Sequence, residues 1–263
     1  MQRVTDSWIE SQVGCRLIQG VMANAARNVP KEYLLTPWKC EGLDRGKAVL
    51  TTPTQLDCYV LAYWHMHIYK LWKAFEHLPP LTESLGFEIV DWGCGQAIAT
   101  LCLLAWLEKY SPHAQSPSKV TLLDVSTDAL RRAKPLVQCK LRGRASELED
   151  VPIDLSLADC TTEALRPSSK VVLHLFSNII DVPRMCLEAM AEAILRSSEK
   201  SYVICVGHGQ TAAAAEKFRQ LLGQRSLELL HKENVRSGAE LENGHPFGWD
   251  ITIMQRARQA KAA

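Results

Sequence analysis

The sequence predicts an α/β fold: a mostly parallel sheet with helices between its strands, preceded by an N-terminal helical cap. Three observations carry this expectation. Phe87–Thr100, FEIVDWGCGQAIAT, is a strand-like run that ends in an acid, breaks into a glycine turn and resumes with helical periodicity. Lys119–Asp124, Ile153–Cys160 and Lys170–Asp181 repeat the strand-like pattern, with helical patterns between them. Ahead of them, Gln55–His77 runs without Gly or Pro, as a long helix would.

In chain order, residues 1–28 read as helical, and Val29–Thr54 as a Pro- and Gly-punctuated connection carrying Trp38. Thr52 followed by Pro53 suits a cap and first turn, and Pro79–Pro80 stops the helix that follows. On a helical wheel Val60, Leu61, Trp64, Ile68, Leu71, Trp72 and Phe75 form the apolar face. Gln55, Tyr59, Tyr63, Met66, Lys70 and Lys73 gather opposite, a face unusually aromatic for solvent. His65 and His67 fall on different sides and are poor partners for one metal ion. After Asp181, Val182–Arg196 reads as a helix, Ser201–Val206 as a buried strand and Thr211–Leu222 as another helix. Ser226–His231 and Trp249–Met254 are the best candidates for a final strand pair, joined by Glu233–Gly248. The expected organisation is a cap over 1–85, an α/β domain over 86–256 and a polar tail over 257–263.

The glycine turn discriminates among nucleotide-type cofactors. A dinucleotide-binding turn wants glycine at its first, third and sixth positions. Here Ile98 holds the sixth, and Asp91 would set negative charge beside a pyrophosphate; both argue against NAD. Asp91, Gly93, Gly95 and Ala97 resemble instead the first motif of the class I S-adenosylmethionine-dependent methyltransferases, with Ala97 where glycine is commoner.

The resemblance covers about Phe87 to Ile253 and implies a Rossmann-like sheet of seven strands, the last pair antiparallel at one edge. It also implies S-adenosylmethionine as cofactor. Asp91 and the turn Gly93, Cys94, Gly95 and Gln96 would hold it; Asp124, followed by Val125, would receive the ribose hydroxyls; Asp159 and Cys160 would read the adenine edge. Phe176, Ser177 and Asn178 would end at the transferred methyl group, and Gln55, Tyr59 and Tyr63 of the cap would contact substrate, unless they only pack under the Val29–Thr54 loop. His245, Pro246 and Phe247 lie in the last connection, which often reaches the substrate side. A single acid at a strand end is commonly a turn or cap residue. The succession of Asp91, Asp124 and Asp159 at three strand ends is what points to one site.

The implied reaction is attack by a substrate oxygen or nitrogen on an activated methyl carbon, so the protein mainly aligns the reactants and a base is optional. Candidates are Asn178 and Asp181 after the fourth strand and His208 after the fifth; His208 is the better base by its ordinary pKa, with a capping role as its alternative. His174, within the strand, reads as a core histidine. Exocyclic-amine methyltransferases of nucleic acid usually carry Asn or Asp, two prolines and an aromatic after the fourth strand, where this chain has Ser177-Asn178-Ile179-Ile180. Small molecules, proteins and other RNA positions stay open as acceptors. The HLFSNIID ending with the Tyr-bearing helix is similar to bacterial methyltransferase-like proteins, a likeness that supplies no acceptor. A second hypothesis is a binding module, sensing the cofactor or a nucleoside without turnover.

Composition fits a folded globular chain. Its 263 residues are 47% hydrophobic and 22% charged, enough for one large core. No apolar run reaches the length of a membrane span and MQRVTDSWIE lacks the features of a signal peptide, so the expected location is cytoplasmic with no membrane partner. The nine cysteines are scattered without a C-x-x-C pair, which disfavours both a metal site and a disulfide framework. The formal charge of +1 announces no polyanionic partner. The basic run Arg131, Arg132, Lys134, Lys140, Arg142 and Arg144 could face phosphates, or be a solvated helix and loop.

Overall fold

The computed structural model describes residues 2–12, 16–44, 48–80, 86–111, 116–141, 147–157, 165, 168, 170–182, 185–198, 200–208, 212–241 and 246–256. The chain opens with β1 (Gln2–Val4), α1 (Asp6–Gln12) and α2 (Arg16–Asn28), passes two short 3₁₀ turns and enters α3 (Pro53–Phe75). The α/β succession follows: β2 (Phe87–Trp92), α4 (Ile98–Tyr110), β3 (Lys119–Asp124), α5 (Thr127–Leu141), β4 (Glu147–Pro152), β5 (Val171–Ser177), α6 (Leu187–Ser197), β6 (Ser201–Gly207), α7 (Ala212–Gly223), β7 (Leu227–Leu241) and β8 (Pro246–Arg256).

The sheet has the order β1-β7-β8-β6-β5-β2-β3-β4. Strand β8 inserts antiparallel between β6 and β7, and all other pairs are parallel. Seven of these strands make the Rossmann-like sheet of the class I methyltransferase fold; β1 is an eighth, pairing Gln2–Val4 with Ala239–Leu241. Because β3 and β4 lie on one side of β2 and β5 and β6 on the other, strand order reverses between β2 and β5. A crevice for ligands opens there at the carboxyl ends of the strands.

Alternation along each strand builds two cores. Ile89, Leu173, Leu175, Ile204, Ile251 and Ile253 face the side covered by α3, α4 and α5. Val90, Trp92, Val172, Phe176, Val203 and Met254 face α6 and α7. The first core continues without a break into Ile9, Ile18, Val60, Trp64, Ile68 and Phe75, so the N-terminal helices share it with the sheet. No helix among the described residues is long and apolar enough to cross a membrane.

The long helix starts as expected. Thr52 accepts from the Gln55 backbone N–H at 3.2 Å while Gln55 Oε1 accepts from the Thr52 N–H at 3.2 Å, a reciprocal cap reinforced by Pro53. Three expectations are corrected. Gln2–Val4 is strand, because the edge of β7 offers it a ladder. The third strand of the α/β succession is Glu147–Pro152, not Ile153–Cys160; its charged residues suit a half-exposed edge, and Ile153–Leu157 turns away after it. Glu233–Leu241 continues β7, through a register shift between Val235 and Ala239, instead of forming a loop. Two glycines permit that pairing: a Cβ on Gly238 would meet Trp249 Cη2 at 2.2 Å, and one on Gly248 the Val235 carbonyl oxygen at 2.0 Å. The expected tail over 257–263 and His245 lie outside the described residues.

Candidate functional site

The glycine turn is built by backbone conformation. Gly93, Gly95 and Ala97 all have positive φ, +60°, +53° and +60°, so the chain reverses within five residues and starts α4 at once. A Cβ at Gly93 would strike Ile179 Cγ1 at 2.5 Å, whereas one at Gly95 would stand in open space. Ala97 takes the left-handed conformation with a Cβ, at a cost of about 1 kcal/mol.

Asp91 and Asp124 flank this turn and do different work. Asp91 is 1% exposed; its Oδ2 accepts from Thr100 N at 3.2 Å and Thr100 Oγ1 at 2.7 Å, while its Oδ1 is buried with no hydrogen-bond partner among the described residues. Burial, against the pull of those Thr100 bonds, pushes its carboxyl up to about 7. Asp124 accepts from Gly95 N and Ser126 N, each at 2.7 Å, tying the glycine turn to the end of β3. Burial raises this carboxyl too, and the backbone N–H groups hold it back.

A cavity of about 280 Å³ opens at the crevice. Gly93, Gly95 and Gln96 floor it, Asp124, Val125 and Ser126 form one side, and Ile153, Asp154, Leu155 and Ser156 continue it past β4. Ser177, Asn178, Ile179, Val182 and Met185 close the β5 end, and Ala48, Val49, Leu50 and Tyr59 form the outer wall. Among the described residues, two carboxylates and no lysine or arginine line it, the reverse of a phosphate cradle.

Side-chain hydrogen bonds tie the outer wall to the turn and to the β3 end. Gln96 Nε2 donates to Leu56 O at 2.9 Å, and Ser126 Oγ donates to Leu50 O. Arg132 of α5 pairs with buried Asp57 of α3.

Of the residues read from sequence, Gly93, Gly95, Gln96, Asp124, Val125, Ser177, Asn178 and Tyr59 line the cavity. Cys94 lends its backbone N–H to Leu123 O at 2.9 Å, and its thiol is buried. Phe176 faces the other core, stacked on Trp92 and edge-on to Phe218, because strand alternation turns it from the site that Ser177 reaches. Gln55 is occupied by the helix cap and the Glu41 carbonyl, and Tyr63 packs on Tyr59 and His67. Asp159 and Cys160 lie outside the described residues; the acid present beyond β4 is Asp154. His174 is a core residue: Trp92 Nε1 donates to its Nδ1 at 3.2 Å, so its Nε2 carries the proton toward Ser197 Oγ at 2.9 Å. Burial brings its imidazole down to about 3.

Sequence reasoning missed the group behind Asn178. Lys70, fully buried on α3, donates to Asn178 Oδ1 at 2.6 Å, and Asn178 Nδ2 donates to Ser177 Oγ at 3.1 Å. Asp181 and His208 stand around this pair rather than in the cavity wall: the first acts on the charge of Lys70, the second on that of His67. The signal was present in the spacing of Tyr59, Tyr63, His67 and Lys70, which puts them on one stripe of the helix.

The basic run of α5 is spent internally, Arg131 on Asp128, Arg132 on Asp57, Lys134 on Asp150 and Lys140 on Glu108. Arg142 and Arg144 lie outside the described residues. None of the described cysteines forms a disulfide. His77, His231 and Glu233 bring ligand atoms within 4.8 Å, but the imidazoles stack 3.5 Å apart and 9° from parallel. In-plane lone pairs of stacked rings do not converge on one ion about 2.0–2.1 Å from both.

The sheet order with its single inserted antiparallel strand defines a Rossmann-like, class I methyltransferase fold, and the cavity lies at its switch point. No protein-family model matches the chain, and no curated protein matches it by sequence. Among solved structures it is similar to a SAM-dependent methyltransferase from Aquifex aeolicus, at 10% identity over 78% of this chain and 99% of that one, TM-score 0.48. It is also similar to magnesium protoporphyrin IX methyltransferase from Synechocystis with bound SAM, at 15% identity over 86% and 95% of the two chains, TM-score 0.44. A third similar structure is the plantazolicin methyltransferase in complex with SAH, at 12% identity over 92% and 100%, TM-score 0.45.

Proposed function

We propose that this chain is an S-adenosylmethionine-dependent methyltransferase acting on an oxygen or nitrogen acceptor. The observation that carries the reading is the cavity at the switch point, floored by Gly93 and Gly95 and lined, among the described residues, by the acids Asp124 and Asp154 without a lysine or arginine. Such a lining suits hydroxyls and a cationic ligand and is hostile to a pyrophosphate. The open space at Gly95 fits a ligand with a backbone-hugging chain; Asp91 lies buried behind the turn, outside the cavity wall, and would act by holding the turn through Thr100.

When bound, the cofactor supplies a methyl carbon already activated by its sulfonium. Asp124 would hold the ribose hydroxyls, Val125 and Ile153 would flank the adenine with Asp154 at its edge, and the turn from Gly93 to Gln96 would hold the amino-acid end. Ser177 and Asn178 would stand at the methyl end. Asn178 is held from both sides by Lys70 and Ser177, and as an amide it would orient the acceptor without taking its proton. Tyr59 and the Ala48–Leu50 wall exclude water from the opposite side. We assign Asp181 and His208 to the acceptor side, as the groups nearest that end able to take a proton. Small molecules, proteins and RNA all remain acceptor classes, in a chain located in the cytoplasm.

A second reading, a binding module without turnover, draws on one observation: neither Asp181 nor His208 lines the cavity. Calorimetric titration with S-adenosylmethionine and S-adenosylhomocysteine, with Asp124→Ala as control, tests what both readings share. Binding at about micromolar Kd, weakened at least about tenfold in the variant, is the expected result. Absence of binding by either ligand would overturn the cofactor assignment. If both bind, unchanged turnover in Asn178→Ala and in His208→Ala, once an acceptor is found, would overturn those two assignments.

A further inference from the structure

Lys70 is the one fully buried lysine of α3, and among the described residues its Nζ has the Asn178 carboxamide as hydrogen-bond partner. A buried ammonium normally sits against a carboxylate. Here the groups facing it are His67 from its own helix, Asn178 and Asp181 from the loop after β5, and, beyond His67, His208 from the end of β6. Asn178 is the only side chain of this set in the cavity wall, so the charge on Lys70 is felt at that end of the cavity across one amide.

We propose that Lys70 reads the charge of the ligand at the Asn178 end: the site takes the cationic methyl donor with Lys70 as a neutral amine, and a proton on Lys70 favours the neutral thioether product over the donor. This rests on the cofactor reading above and concerns which of its two forms the site prefers. Like charges brought together in a water-poor enclosure repel, so binding a cation here and protonating Lys70 oppose each other. By linkage, binding the donor expels a proton, whereas the uncharged thioether leaves it in place.

Burial, only partly offset by Asp181, brings the Lys70 amine down to about 7, which places the exchange near neutral pH. His67 does not titrate in that range, because burial first, then Lys70 and His208, hold its imidazole well below the ordinary value. Mild acidification therefore makes the protein retain its product at the expense of its donor.

The test is calorimetric titration of the full chain with S-adenosylmethionine and with S-adenosylhomocysteine at about pH 6 and about pH 8, in buffers of different ionisation enthalpy. The expected result is an affinity ratio, donor over product, that rises about tenfold between the two pH values, with proton release on donor binding alone. Lys70→Met, similar in length and without the amine, should lose most of that rise. Lys70→Arg, charged throughout, should hold the ratio low. The donor's own amino group titrates near this range and is present in every variant, so the Lys70→Met comparison removes it.

A wild-type ratio that stays flat while both ligands bind overturns the inference and leaves the cofactor reading standing. So does a ratio that moves as much in Lys70→Met. If neither ligand binds the wild type at either pH, the cofactor reading falls and this inference with it. Should Lys70→Met fail to fold, the wild-type profile and Lys70→Arg decide the matter by the same criteria.

Discussion

At the scale of single residues, the site holds a carboxylic acid whose charge state is set by the fold. Asp91 gives one oxygen to Thr100 and leaves the other buried with no hydrogen-bond partner among the described residues. With its carboxyl pushed up to about 7, the folded chain keeps a proton that the unfolded chain loses near pH 4. Stability from this group is therefore fully present below about pH 4, declines as pH rises to about 7 and is flat above. Asp91→Asn keeps an oxygen for Thr100 and never ionises, so it should stabilise the protein by about 2–4 kcal/mol at about pH 8 and by little at about pH 4. Denaturant unfolding at the two pH values measures this, and destabilisation at both would show that the ionised acid is compensated.

The places of Asp91 and Asp124 beside the glycine turn were legible in the sequence because they are local: each stands at the end of a strand, and the turn follows one of them directly. Lys70 was not. Whether the second face of its helix meets solvent or protein depends on the loop after β5, more than a hundred residues away. The stripe of Tyr59, Tyr63, His67 and Lys70 said only that these residues travel together, not what would cover them.

At the scale of elements, propensity and alternation found the buried strands and misjudged the exposed ones. Strands β2, β3, β5 and β6 are apolar runs, and their positions agree with expectation. Strand β4, ELEDVP, is charged and half-exposed at the sheet edge, while the alternating residues after it, Ile153, Leu155 and Leu157, imitate a strand and in fact turn past the cavity. Strand β7 beyond Glu233 was hidden by charges and by Gly238, residues that read as loop. Glycine there marks close approach rather than a turn. The strictest case is Gly248, where a Cβ would lie 2.0 Å from the Val235 carbonyl oxygen and 2.4 Å from that of Arg236. Backbone atoms cannot rotate away, so Gly248→Ala should cost about 3 kcal/mol or more by forcing β7 and β8 apart. Gly223→Ala, at the end of α7 with no atom within 4 Å of an added Cβ, is the control and should change stability by less than about 1 kcal/mol. Comparable denaturant midpoints for the two variants would contradict this account of the hairpin.

At the scale of the whole molecule, the N-terminal helices belong to the same core as the sheet, and polar ties cross between them at the cavity. Beside it, outside the cavity wall, Asp57 on α3 pairs with Arg132 on α5, and the two sides are unequally exposed: the Asp57 side chain is 5% exposed and that of Arg132 30%. Arg132 has a second acceptor in the Pro53 carbonyl, at 3.2 Å, in the first turn of α3. The cost of breaking the pair should depend on which partner is removed. Arg132→Ala leaves a carboxylate enclosed with its countercharge gone and should cost about 3–5 kcal/mol. Asp57→Ala leaves a guanidinium that keeps Pro53 and can turn toward water, so its cost should be about 1–2 kcal/mol. Chemical denaturation of both single variants and the double variant measures the asymmetry and the coupling directly. If α3 is docked by this tie as well as by its apolar face, Arg132→Ala should be the more damaging, and adding Asp57→Ala to it should recover part of the loss by removing the stranded charge. Equal costs, or no recovery in the double variant, would mean that the pair is solvated in solution and that apolar packing alone holds the outer wall of the cavity in place.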